Sequence, residues 1–348
     1  MKTKSFFNAA ILSAFSIFLI SCSPQSARIP VSTITPTILP VSLPSVTTAQ
    51  FPTFTPSASP TSQPKPTPST SPSTLEFVRK ISGGPNSFSM PDNLAFDTKG
   101  DLYVLDAGND RVQVFDPSGK FITTWGNKGS GIGQFDLVVH EDTTYTIGGI
   151  ALDKNNNVYV ADGLNQRVQE FNSRGKFLMK WGSYGLNDGE FLRLLDLAID
   201  IQGNLYVVDD YRDVIQKFDP HGKFILKFGE EGKGDGELNN TGGITIGPDG
   251  NLYIADYGNN RVEVFSPDGT YLRQWSTPVK GVVDIAIDSK GNIFTTHEIG
   301  DIVEYDPNGN AISIMGNLGL NSPIGIVINS DGLIYVADNN GIEVFREK

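Results

Sequence analysis

From Glu76 onward the chain alternates short apolar runs with turns rich in Asp, Gly, Pro and Asn. Leu102-Tyr103-Val104-Leu105, Val158-Tyr159-Val160-Ala161 and Leu252-Tyr253-Ile254-Ala255 are continuous apolar runs of strand length. Arg111-Val112-Gln113-Val114-Phe115 and Lys176-Phe177-Leu178-Met179-Lys180-Trp181 mix apolar and polar positions in the manner of half-buried strands. No stretch has helical periodicity. The turns have their own chemistry. Asp97-Thr98-Lys99-Gly100 and Asp288-Ser289-Lys290-Gly291 end on a glycine able to take positive φ, while Asp116-Pro117-Ser118-Gly119 and Asp306-Pro307-Asn308-Gly309 add a proline that presets the first corner. The pattern predicts consecutive antiparallel hairpins.

The hairpins repeat. Aligned on one aromatic, the units fall at Tyr103, Tyr159, Tyr206, Tyr253, Phe294 and Tyr335. Six four-stranded antiparallel units of this kind predict an all-β, six-bladed β-propeller. Within the units, Asp-x-x-Gly-Asn-x-Tyr-Val-x-Asp, Asn-x-Arg-Val and Phe-x-x-x-Gly elements recur in order over Asp97 to Gly119, Asp153 to Gly175 and Asn251 to Gly269. In these elements residues 75–348 resemble NHL repeats. The sixth unit has only three strands, and Phe77-Val78-Arg79-Lys80-Ile81 matches an orphan fourth strand. The N-terminal strand is therefore expected to complete the last blade and close the ring, removing its exposed edges.

Residues 1–74 are of another character. Lys2 and Lys4 precede an apolar run from Phe6 to Ile20, and Leu19-Ile20-Ser21-Cys22 follows. The run is short for a spanning helix, which needs about 20 residues. It resembles a lipoprotein signal peptide over 1–21, which implies lipidation of Cys22 and anchoring to the cell membrane or outer membrane of a bacterium. Between Ser23 and Thr74, 34 of 52 residues are Pro, Ser or Thr, so residues 22–74 read as a tether. Polyproline geometry, at about 3.1 Å per residue, gives it a reach on the order of 160 Å. The propeller is expected to stand outside the cytoplasm on a flexible stalk.

Charge and cysteine count narrow the partners. All 39 acidic residues lie in 75–348 against 23 basic ones, a formal charge of −16. Such a surface repels phosphate backbones, so no nucleic-acid partner is expected. The single cysteine, Cys22, excludes a disulfide framework.

Candidate chemistry lies where the repeat breaks. The second-to-third-strand loops and the crossovers between blades share one face of a propeller, and the glycine turns share the other. Asp106, Asp162 and Asp256 keep an Asp-x-x-Asn-x-Arg pattern whose arginine pairs with its own loop's aspartate. The departures are Asp209-Asp210-Tyr211-Arg212-Asp213, His297-Glu298-Ile299-Gly300-Asp301, the shortened Asp338 to Gly341, and an insertion over Asp136 to Thr146 that carries His140. Asp210, Tyr211, Arg212, Tyr257, His297, Glu298 and His140 are the candidate ligand-binding residues. A second pattern precedes each innermost strand: Asn93, Gly149, Asp196, Gly243, Asp284 and Gly325. Alternate blades place Asn93, Asp196 and Asp284 near the channel mouth, as hard oxygen ligands suited to Ca²⁺ or Mg²⁺. Related six-bladed lactonases hold a divalent ion in such a channel; the opposing reading is that each side chain caps its own crossover. The amidating lyases with NHL-type repeats use a histidine-bound zinc, whereas this chain has only His140, His221 and His297, with His221 on the tight-turn face. No Gly-x-Ser-x-Gly nucleophile motif is present. The sequence thus points to a loop face that binds a ligand or a protein, peptide or glycan partner without catalysis. The alternatives are a metal-dependent lactonase or lyase with His297 or Asp210 as acid–base group, and a scaffold.

Overall fold

The computed structural model describes residues 74–140, 144–339 and 341–348. The expected signal peptide over 1–21, Cys22 and nearly all of the expected tether over 22–74 lie outside these residues. Six four-stranded antiparallel sheets are present, each a meander. Blade 1 comprises strands Pro91–Phe96, Leu102–Asp106, Arg111–Phe115 and Phe121–Trp125. Blades 2 to 5 repeat this order, with innermost strands Ile150–Leu152, Leu194–Ile199, Thr241–Ile246 and Val282–Ile287. Blade 6 takes Ile326–Ile328, Ile334–Asp338 and Gly341–Glu347 from the C-terminal end and Leu75–Ile81 from the N-terminal end. That last pairing, with Phe77 opposite Phe345 and Ile81 opposite Ile342, closes the ring as the sequence predicts. The insertion after blade 1 forms a small hairpin, Val138–His140 with Thr144–Thr146. Among the described residues no helix is long and apolar enough to cross a membrane.

The hydrophobic core lies between blades. Tyr103, Val112 and Val114 of blade 1 pack with Ile150, Val158 and Val160 of blade 2, and equivalent clusters join every neighbouring pair, including blades 6 and 1. Outer-strand aromatics extend this packing. Trp125 of blade 1 lies flat over Gly175 in the tight turn of blade 2, where a Cβ would stand 2.5 Å from the ring. Gly175 also holds φ at +77°, so the turn and the inter-blade contact require the same residue.

The Asp-x-x-Asn-x-Arg elements fix the loop face. Arg167 donates from Nε to Asp162 Oδ2 at 2.7 Å and from Nη1 to the Ser130 carbonyl of the preceding crossover at 2.7 Å. Arg261 does the same toward Asp256 and Lys233. Because these aspartates are buried and satisfied by their own loops, they are braces. Crossovers rich in glycine are thereby tied to the loop of the blade that follows.

Candidate functional site

On the loop face the axial channel opens into a cavity of about 420 Å³, and on the tight-turn face into one of about 260 Å³. Asn93, Asp196 and Asp284 line both and so separate them. These three side chains come from the innermost strands of blades 1, 3 and 5, and each reaches the next blade. Asn93 Oδ1 accepts the Ile150 N–H at 3.3 Å, Asp196 Oδ2 accepts the Ile244 N–H at 2.9 Å, and Asp284 Oδ2 accepts the Ile326 N–H at 2.8 Å. The other oxygens of the aspartates take backbone N–H groups of their own strands, from Leu197 and Ile285. The glycines between them make room. A Cβ on Gly149 would lie 2.5 Å from Asp196 Oδ1, and one on Gly243 would meet Asp284 Oδ1 at 1.7 Å.

The electrostatics of this layer are unusual. Asp92, Asp196 and Asp284 are all buried. Burial pushes the Asp92 carboxyl up to about 7, opposed by the Thr146 hydroxyl and reinforced by the charge of Asp284. Asp284 is likewise raised to about 7 by burial, against the Ile326 and Ile285 N–H groups. Asp196 is raised well above the carboxylate range, by burial first and by Asp284 second. Desolvation without a cationic neighbour is the common cause.

The walls are mixed. Asp210, Tyr257 and Glu298 line the loop-face cavity. Asp210 is paired with Arg193, whose Nε donates to Oδ1 at 2.7 Å, and the Tyr257 hydroxyl donates to Glu298 Oε1. Leu195, Val283, Ile324 and Thr241 complete much of the remaining surface. The other sequence candidates lie elsewhere. Arg212 donates to the Glu190 and Leu186 carbonyls and pairs with Asp209 at 3.6 Å. Tyr211 is exposed, under the Arg193 guanidinium. His297 is buried inside blade 5, its Nε2 3.0 Å from Thr295 Oγ1 and its Nδ1 3.3 Å from the Lys280 carbonyl, and burial lowers its pKa to about 4. His140 pairs through its backbone in the inserted hairpin, and its side chain lies outside what is described.

Two site residues escape sequence reasoning. Asp92, adjacent to Asn93, is in the same cavity lining, and Thr241 enters from the start of the fourth innermost strand. The polar pair Asp92-Asn93 inside a predicted strand was the available signal for the first. Among the described residues, no three His, Cys, Asp or Glu side chains are grouped to hold a metal ion. In this layer Asn93 turns its Nδ2 to Asp196 and its Oδ1 to the Ile150 N–H.

Comparison with known proteins follows the same lines. The NHL repeat family matches residues 88–115, 144–171, 238–265 and 320–345. Among curated proteins, none matches the chain by sequence. Solved structures share the fold. A gluconolactonase from Xanthomonas campestris superposes with a TM-score of 0.60 at 11% identity, over 80% of this chain and 95% of that one. A streptogramin B lyase gives 0.56 at 14% identity, over 79% and 97%. A catalytically inactive virginiamycin B lyase from Staphylococcus aureus, solved with quinupristin, gives 0.55 at 15%, over 78% and 98%. At these identities the likeness is one of fold.

Proposed function

Because the chain carries NHL repeats in a closed six-bladed propeller, a fold that hosts unrelated activities, we propose that its function lies in the loop-face cavity, as an extracytoplasmic binding site without catalysis. The observation that carries this reading is the cavity itself, about 420 Å³ and walled by loops of several blades, within the range of about 300–1,000 Å³ usual for small-molecule sites. Its polar groups are arranged to hold. Asp210 is tied to Arg193 and Glu298 to Tyr257, while Asp196 and Asp284 are engaged by backbone N–H groups, so each is oriented before a ligand arrives. Tyr211 and the exposed Ile299, beside Asp210 and Glu298 in sequence, offer apolar contact to a protein, peptide or glycan at the rim. The placement on a lipid anchor at Cys22 and a stalk over 22–74 belongs to the same proposal. Leu75 enters the propeller at its tight-turn end, where the Lys348 N–H meets the Thr74 carbonyl at 3.0 Å, so a tether joins the domain opposite the cavity.

A thermal-shift screen of saccharides, short peptides and small amines on the full chain tests the reading. A ligand should raise the melting temperature of the native protein and fail with Leu195→Trp, which fills the cavity. A shift that survives Leu195→Trp would move the site elsewhere.

One observation favours a second reading. The carboxylates of Asp196 and Asp284 lie buried beside Asn93 where the two cavities meet, and hard oxygen donors of this kind suit a cation such as Ca²⁺ or Mg²⁺. Asp196, Asp284 and Asn93 would hold it. Bound there, it would supply Lewis-acid polarisation to a lactonase-like or lyase-like reaction. Asp210 would then be the acid–base candidate within the cavity, since His297 is absent from the lining.

A further inference from the structure

We propose that the loop-face cavity takes a small organic amine, whose ammonium group is received by Asp92, Asp196 and Asp284 and whose apolar body lies against Leu195, Val283 and Ile324. The proposal deepens the binding function above and rests on it.

Charge is the first support. Among the described residues the cavity lining contains Asp92, Asp196, Asp210, Asp284 and Glu298, and no Lys, Arg or His. Asp210 has Arg193 as its counter-ion, and Glu298 accepts from the Tyr257 hydroxyl. Among the described residues the donors to the three floor carboxyls are uncharged: Thr146 for Asp92, N–H groups for Asp284, and N–H groups with Asn93 for Asp196. A buried carboxylate without a cation is costly, and a ligand that brings one recovers that cost on binding.

A second, independent feature points to a ligand. Thr241 is 2% exposed and lines the same cavity, and its Oγ1 has no hydrogen-bond partner. Buried hydroxyls are ordinarily satisfied, so this one is an acceptor in waiting. An ammonium offers three donors in a compact head, and the floor carboxyls with Thr241 offer acceptors from blades 1, 3, 4 and 5. Ca²⁺ would ask for about 6–8 oxygens at 2.3–2.6 Å, whereas an ammonium is satisfied by about three acceptors. The walls decide the rest of the ligand. Leu195, Val283 and Ile324 are apolar and adjoin the floor, so a hydrocarbon body gains by burial there.

Isothermal titration of the full chain at pH 8 tests this with 2-phenylethylamine, its neutral isostere 2-phenylethanol, glucose and CaCl₂. The amine should bind at least about tenfold more tightly than the alcohol, the loss expected when charge-assisted hydrogen bonds to buried acceptors go unmade. Asp92→Asn should weaken the amine by a similar factor while the melting temperature holds or rises, because the change removes a buried charge without removing volume. Thr241→Val should weaken it about threefold or more. Equal binding of amine and alcohol, or an unchanged affinity in Asp92→Asn, overturns the proposal. Glucose binding without amine binding overturns it and leaves the cavity as a ligand site. Binding of Ca²⁺ alone overturns it in favour of the metal reading, and no binding by any probe removes amine and cavity function together.

Discussion

Asn93 of blade 1 donates from Nδ2 to Asp196 Oδ1 of blade 3 at 2.9 Å, passing beside Gly149 of the blade between them. The bond links two blades that share no core cluster, and it explains why the glycine alternates with polar residues around the axis. A side chain on blade 2 would occupy the place of the Asp196 carboxyl. The same relation recurs between Gly243 and Asp284.

Gly149→Ala tests the steric half of this relation. The new Cβ would lie 2.5 Å from Asp196 Oδ1 and 2.8 Å from its Cα. Overpacking against backbone should cost about 1–3 kcal/mol. Urea unfolding measures it, and a midpoint equal to that of the native chain would show that the axis is more open than the distances require.

Glu263 provides a pH prediction. Blades 1 and 2 place glutamine at this position, where Gln113 Nε2 donates to Asp106 Oδ2 at 2.8 Å and Gln169 Nε2 donates to Asp162 Oδ2 at 3.0 Å. Glu263 is buried beside Asp256 and has no such donor when ionised. Burial raises its carboxyl to about 8, with Arg261 opposing and Asp256 adding. The folded pKa lies above the unfolded one, so this stabilising protonation is present below about 4.5 and is lost as pH rises through about 8. Glu263→Gln should therefore gain stability over the native chain from pH 5 to 9, reaching about 1–3 kcal/mol at the upper end. Thermal melts across that range should diverge with pH; parallel curves would sink the idea.

Ring closure by the N-terminal strand makes a third prediction. Phe77 packs edge-on against Phe345 at 6.1 Å between centroids, and Ile81 joins the core between blades 6 and 1. Ile81→Asp places an unpaired charge in that core and should cost about 3 kcal/mol or more. The melting temperature should fall sharply, and limited proteolysis should cut first in blade 6 or blade 1.

Metal dependence separates the two functional readings. The full chain is stripped with EDTA, dialysed, and melted with added Ca²⁺, Mg²⁺ or Zn²⁺. If an ion rests on Asn93, Asp196 and Asp284, a concentration 100 times its dissociation constant should add about 2.7 kcal/mol. Asp196→Ala and Asp284→Ala should abolish the gain. Identical melts with and without ions would end the metal reading.

The blade boundaries, the tight turns and the closing strand were legible in the sequence because each depends on neighbours in the chain. Asp116-Pro117-Ser118-Gly119 closes its turn with its own bonds, and Asp162 takes Asn165 and Arg167 within one loop. The alternation of Asn93, Asp196 and Asp284 with glycine was also visible, down to their position at the channel. What those residues touch was not. Asn93 meets Asp196 across 103 positions, and Asp284 meets Ile326 across 42. Such contacts exist only when six sheets close around one axis. The same closure buries His297 within blade 5 and turns Arg212 onto the crossover carbonyls. It also brings Asp92 and Thr241 into the cavity lining. Local chain chemistry determined the blades, whereas the sharing of one low-dielectric axis by distant side chains determined the site, and only the closed ring could set that.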